Sequence, residues 1–208
     1  MTPGWVGDFT ERLTDLDPAL FRRFAPPEPG VGRESSVLIL FGEDEHGIDV
    51  VLIERAASGG AHSGQIAFPG GGADADDAEP AATALREARE EIALLPHTVE
   101  VIAELSPLWL PVSDNIVTPV VAWWREPHPV HAADPREVAS VRRVPLRELV
   151  APSNRLRTRT PSGMLLPAFE VGDWLVWGFT AGLLDGLLDA VGLAEPWDRS
   201  RVVSIDPR

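Results

Sequence analysis

A chain of 208 residues, 44% hydrophobic and 24% charged, is ordinary globular material, long enough for one large or two small domains with a real core. Its formal charge of −14 argues against nucleic acid as a partner, because no basic face large enough to release many counterions can be assembled. Without cysteine there is no disulfide and no thiolate metal site, so any metal must be held by oxygen or imidazole, which favours hard cations.

Residues 1–30 read as a helical lead-in and a Pro-rich connector. Phe9, Leu13, Leu16, Leu20, Phe21 and Phe24 recur at helical spacing, and "APPEPGVG" then breaks the helix. The opening "MTPGWVGDFTERL" lacks the layout of a signal peptide, and no apolar run reaches the roughly 18 residues of a membrane span. A cytoplasmic protein with no membrane partner is expected. Residues 31–194 read as one domain and 195–208 as a tail. "SSVLILF" and "IDVVLIER" read as strands around a "GEDEHG" turn, followed by the strands "VEVIAEL", "NIVTPVVAWW", "VASVRRV", "LLPAFEV" and "DWLVWGF". Between the first pair and the rest lies a strong helix, Pro80 to Leu94, and "TAGLLDGLLDAV" supplies another. The pattern predicts an α/β fold, a mixed β-sheet sandwiched between α-helices.

The Pro80 helix carries an unusual face. At about 100° per residue, with Glu87 at zero, Glu90 falls near −60° and Glu91 near +40°, while Ala81, Leu85, Ala88 and Ile92 fall at about 100–160°. Three carboxylates thus share one face beside the buried one. Like charges at these spacings destabilise a helix, and a Gly- and Asp-rich loop precedes it, whose bare backbone can approach a ligand. The face is either a solvated acidic surface or, with free carbonyls, an oxygen cage for Mg²⁺ or Mn²⁺.

At these residues the chain resembles the Nudix hydrolases, whose box is G-x5-E-x7-R-E-U-x-E-E-x-G-U with U aliphatic. "REAREEIAL" supplies Arg86, Glu87, Ala88, Glu90, Glu91 and Leu94 in register. Ala93 stands where the box has its last glycine, and the loop acid is Asp77, with eight residues between it and Arg86 where the box has seven. This spacing, with Phe68, Pro69, Gly70, Gly71 and Asp74, is similar to the coenzyme A pyrophosphatase branch. The likeness runs over about residues 36–190, through "HSGQIAFPGG", "IVTPVV", "EVASVRRVPL" and "VWGFTAGLL". In the upstream motif L-L-T-x-R-S-x3-R-x3-G-x3-F-P-G-G, Leu52, Arg55 and Gly64 match, whereas the second arginine is Gly60.

The resemblance implies the Nudix fold and metal-dependent hydrolysis of a diphosphate bond in a small-molecule nucleotide. The branch implies coenzyme A, cleaved to 3′,5′-ADP and 4′-phosphopantetheine. A nucleotide sugar, a dinucleotide, or a regulator that binds without catalysis are the other readings. Glu87, Glu90, Glu91 and the Gly71 carbonyl would hold Mg²⁺ or Mn²⁺. Arg86 would orient a carboxylate, Glu87 or Glu137 would be the base, and Arg55, Phe68 and Gly70 would meet substrate. His62 reads as a loop or packing residue. Ser113, Asp114 and Asn115 could line a cleft or simply turn the chain. In "RLRTRT", period two would project Arg155, Arg157 and Arg159 from one side of a strand, so Arg157 could grip a phosphate, unless the run is a solubilising loop. Trp123, Trp124, Trp174 and Trp177 fit a core, a base-stacking surface or the interface of a homodimer.

Overall fold

The computed structural model describes residues 9, 11–12, 21, 32–57, 64–110 and 114–205. Gly60, His62, Ser113 and most of the 8–24 helix lie outside these. Within them, β1 (Arg33–Asp44) and β2 (Gly47–Arg55) form a hairpin paired only near its turn, from Phe41↔Val50 to Asp44↔Gly47. Beyond that the two strands part. The next segment fills the gap, β3 (Ile66–Ala67) pairing with β2 and β4 (Gly70–Gly72) with β1. After α1 (Pro80–Ile92), β5 (Val99–Glu104), β6 (Leu108–Leu110) and β7 (Asn115–Trp124) extend the sheet on the far side of β1, β7 running parallel to it. The opposite edge is β8 (Val138–Pro145), antiparallel to β2. This completes an eight-stranded mixed sheet.

A short helix, α2 (Leu146–Val150), leads into β9 (Arg155–Arg159), β10 (Leu165–Val171) and β11 (Trp174–Val176), then α3 (Gly178–Ala190) and β12 (Val202–Ser204). The four last strands form a second sheet in the order β11-β10-β9-β12.

The apolar runs of β1, β2 and β7 are buried on both faces, which is why they do not alternate with polar residues. Leu38, Leu40, Val51, Ile53, Val120, Ala122 and Trp124 pack with Ala81, Ala84, Ala88 and Ile92 of α1. Their neighbours Ile39, Phe41, Val50, Leu52, Val121 and Trp123 pack with α2, α3 and the second sheet. The predicted mixed sheet between helices is therefore present. Trp123, Trp124 and Trp174 are core residues, and the Trp124 indole N–H donates to Thr98 Oγ1 at 3.1 Å. Phe9 and Phe21 of the lead-in are buried too, Phe9 edge-on to Phe41.

Several boundaries differ from the sequence reading. The "GEDEHG" turn shrinks to Glu45 and His46, because Asp44 Oδ1 accepts the His46 N–H at 2.7 Å and Gly47 takes φ 104°, closing the hairpin tightly. "DWLVWGF" ends as a strand at Val176, and Gly178 already opens α3. Residues 195–208 contribute β12, which runs parallel to β9. The strands β3, β4 and β6 are two or three residues long, below the length at which periodicity is visible.

The C-terminus of α1 is closed by Ala93 at φ 58°, ψ 32°, with the Ala93 N–H bonded to the Arg89 carbonyl and the Leu94 N–H to that of Ala88. This left-handed position favours glycine by about 1–2 kcal/mol, partly offset by the greater entropy glycine brings to the unfolded chain. Ala93→Gly is expected to stabilise the protein by about 0.5–1 kcal/mol, raising Tm by about 1–3 °C in calorimetry. An unchanged or lower Tm would contradict the cap geometry.

Candidate active site

Three elements converge on the acid face of α1: the Gly-rich strand β4, the end of β2 and the segment before β8. Proline opens the helix, where its missing N–H leaves no bond unmade. The first free amide, Ala81 N–H, donates to Glu104 Oε1 of β5 at 3.0 Å. This cap from a distant strand has no local signal in the sequence, since Glu79 at the N-cap makes no side-chain bond.

Arg86 is the hub. Its Nε and Nη2 fork onto Asp77 at 2.9–3.3 Å, its Nη1 donates to Glu87 Oε1 at 2.9 Å and Glu90 Oε2 at 3.4 Å, and Nη2 also reaches the Gly72 carbonyl at 2.8 Å. Asp77 is held in turn by Thr83 Oγ1 and the Asp74 N–H, both at 2.9 Å. One guanidinium thus ties the loop to two carboxylates of the helix. The Arg86 side chain, ahead of the backbone bond to Asp74 N–H, holds Asp77 well below the usual carboxylate range. The bonds to Asp77 and then Glu87 raise Arg86 itself. The eight residues between Asp77 and Arg86 are accommodated without loss of this pair.

The loop backbone is pressed against the helix. A Cβ on Gly71 would lie 2.5 Å from the Glu87 carboxyl carbon, and one on Gly70, at φ 154°, would lie 2.2 Å from the Ser36 carbonyl oxygen. Only glycine fits at Gly70, and a side chain at Gly71 would push the Glu87 carboxylate out of its place. The Gly70 N–H donates to Glu91 Oε2 at 2.8 Å, so this glycine positions a carboxylate, where the sequence reading had it binding substrate.

Glu91 is 1% exposed. Burial pushes its carboxyl up to about 7, against the Gly70 N–H and the Arg55 charge, with Glu87 and Glu137 adding to the push. Burial also raises Glu87, opposed by Arg86 and reinforced by Glu90 and Glu137. The charges of Arg55, at the end of β2, and of Glu137, just before β8, are thus felt at the helix face, and the sequence-predicted Arg55, Glu87, Glu91 and Glu137 form one electrostatic group. As they stand, no three acidic or imidazole side chains among the described residues form a ready metal cluster: Glu87 and Glu90 are drawn to Arg86, and Glu91 to Gly70.

Two expectations are corrected. Phe68, 2% exposed, packs in the core with Ile66, so its ring anchors the loop and does not face a ligand. The RLRTRT run forms β9, but its arginines do not act together: Arg155 is buried between Phe169 and Trp197 at 4.3 and 4.7 Å and paired with Asp185 of α3. Burial, ahead of the opposing charge of Asp185, lowers its pKa. Arg157 is half-buried on the second sheet, its N–H bonded to the Arg201 carbonyl and its charge felt by Asp198. Asp114, at φ 52°, turns the chain into β7, and its carbonyl accepts the Arg33 N–H at 2.9 Å.

Comparison with known proteins agrees with this geometry. The NUDIX domain family model matches residues 32–166. An uncharacterized Nudix hydrolase NudL from Enterobacter sp. (strain 638) is 37% identical over 196 residues, 90% of this chain and 95% of that one. Nudix hydrolase 15, mitochondrial, from Arabidopsis thaliana is 33% identical over 173 residues, 78% of this chain and 58% of that one. Among solved structures, the Nudix hydrolase RenU from M. smegmatis superposes with TM-score 0.56 at 18% identity, covering 83% of this chain and all of that one. This chain belongs to the Nudix family and is a Nudix hydrolase, a pyrophosphatase acting on a nucleoside diphosphate derivative. No helix among the described residues is long and apolar enough to cross a membrane.

A carboxyl raised by folding contributes stability that is complete below its unfolded pKa, about 4.3, and is lost as pH rises through about 7. Glu91→Gln, which keeps an acceptor for Gly70, is therefore expected to stabilise chelator-treated protein at pH 8 by at most about 4 kcal/mol, with the advantage vanishing near pH 4. Denaturant melts of both proteins across this range check it. A pH-independent difference would contradict the raised carboxyl.

Proposed function

We propose that the protein hydrolyses the diphosphate bond of coenzyme A or an acyl derivative, giving 3′,5′-ADP and 4′-phosphopantetheine, with Mg²⁺ or Mn²⁺ as cofactor. The observation that carries the reading is the mutually repelling carboxylate face, with Glu91 buried, Glu87 half-buried against the Gly71 backbone and Glu90 open to solvent. Such an arrangement is unfavourable alone and suits a hard cation. The donor set fits one: Glu87, Glu90, Glu91 and the Gly71 carbonyl would hold it through oxygen, in line with the general use of divalent ions by Nudix hydrolases. When bound, the ion supplies neutralisation of the diphosphate and acidification of a water.

The chain's own groups do the rest. Arg86 fixes Glu87 and Glu90 without itself meeting substrate. Glu137 is the base: it accepts the proton of the attacking water as oxygen adds to one phosphorus and the bridging P–O bond breaks, the other phosphate leaving. Glu87, tied to Arg86, is committed to orientation. Arg55, whose strand position pairs with Val138 next to Glu137, offers a guanidinium to the diphosphate. The branch resemblance of the FPGG loop supports coenzyme A, and Gly60 in place of an arginine is the feature that leaves a nucleotide sugar or a dinucleotide as the second reading. Arg157, on the second sheet, has no part in this scheme.

Assay against a panel of coenzyme A, dephospho-coenzyme A, ADP-ribose, a nucleotide sugar and a dinucleotide, with product identification, tests the substrate. Coenzyme A is expected to give the highest kcat/KM and to require a divalent ion. Turnover of a nucleotide sugar without turnover of coenzyme A would reject it. Glu87→Gln is expected to lower kcat by about a hundredfold or more, the scale of a lost electrostatic contribution to the transition state, while the fold survives.

A further inference from the structure

The segment joining β7 to β8 is fastened to α1 at two points. The Ala133 N–H donates to the Glu91 carbonyl at 2.9 Å and the His131 N–H to the Ile92 carbonyl at 3.3 Å. The chain then turns sharply around Asp134. Its Oδ1 accepts the backbone N–H and the Nε–H of Arg136, both at 2.9 Å, and its Oδ2 accepts Nη2 at 2.5 Å. Its carbonyl accepts the N–H groups of Glu137 at 3.0 Å and Val138 at 2.9 Å. The Glu137 carbonyl closes the circuit by accepting the Ala56 N–H at 2.8 Å, beside Arg55. The turn therefore bridges the acid helix and the end of β2.

We propose that Asp134 is a positioning residue for the hydrolysis, its side chain locking the turn that holds the Glu137 carboxylate at the Glu87–Glu91 face. The need for a lock is electrostatic. Glu137 is a third negative charge beside two others, so a loosely held turn would let it swing away into water, where its charge is better solvated. The Arg136 side chain is 88% exposed and its ion pair adds little by itself. What Asp134 contributes is the closed turn, an oxygen on a backbone N–H two residues on. The proposal rests on Glu137 being the base.

The test is a cycle of Asp134→Ala and Glu137→Gln, with Asp134→Asn beside it, assayed on the best-hydrolysed diphosphate of the panel above. Asp134→Ala is expected to lower kcat by about tenfold or more with KM within about twofold, and to have no further effect in the Glu137→Gln background. Asp134→Asn, which keeps the acceptor and loses the ion pair, should retain about half of kcat or more. An equal drop from Asp134→Ala in both backgrounds would overturn the positioning role alone. So would Asp134→Asn failing like Asp134→Ala, or Asp134→Ala turning over at the native rate. Native kcat in Glu137→Gln would overturn the base assignment and the positioning role with it.

Discussion

The structure is organised around a repulsion that is held in place. Glu87, Glu90 and Glu91 share a helix face with Glu137 near by, and Glu91 is buried among them. Left to itself that face would destabilise α1 and be driven toward solvent. Arg86 opposes this from one side by bonding Glu87 and Glu90 while anchored on Asp77. Gly70 opposes it from the other by donating its N–H to Glu91. The cluster survives because the surrounding fold over-determines its position.

That fold is built to deliver backbone, not side chains, to the carboxylates. The β1–β2 hairpin splays after four residue pairs, and the Ile66–Gly72 segment enters the opening. Phe68 is sunk in the core below the sheet, which fixes the loop firmly enough for Gly70 and Gly71 to press on the helix. On its other side α1 presents Ala81, Ala84 and Ala88 to the sheet, small residues that let the helix lie close. The buried face and the acid face are adjacent, so core packing directly sets the height of the carboxylates above the loop.

Much of this was legible in the sequence because it obeys local rules. The helix, its acid face, the glycine loop and the long apolar strands each follow a period or a spacing that one stretch of chain displays. That Arg86 orients a carboxylate was also legible, but its bidentate partner Asp77 was not, since that pair depends on how the loop returns to the helix. What escaped depends on residues far apart. Glu104 caps a helix more than twenty positions earlier, and nothing around it marks it as a cap. Arg155 looked like a surface arginine in an alternating run, yet its partners Asp185, Phe169 and Trp197 come from three later segments. Phe68 was read as facing substrate because its loop does, although alternation of side chains sends the ring to the opposite side. The short strands β3, β4, β6 and β12 exist only because longer strands offer them edges.

If the confined carboxylates are a cation site, the protein must bind a divalent ion before any substrate is present. Manganese binding, followed by electron paramagnetic resonance on the native protein and on a Glu87→Gln/Glu91→Gln variant, tests this most directly because it needs no substrate. Saturable binding is expected for the native protein and at least about a tenfold weaker affinity for the variant, a loss of about 1.4 kcal/mol or more. Equal binding isotherms for the two proteins would contradict it.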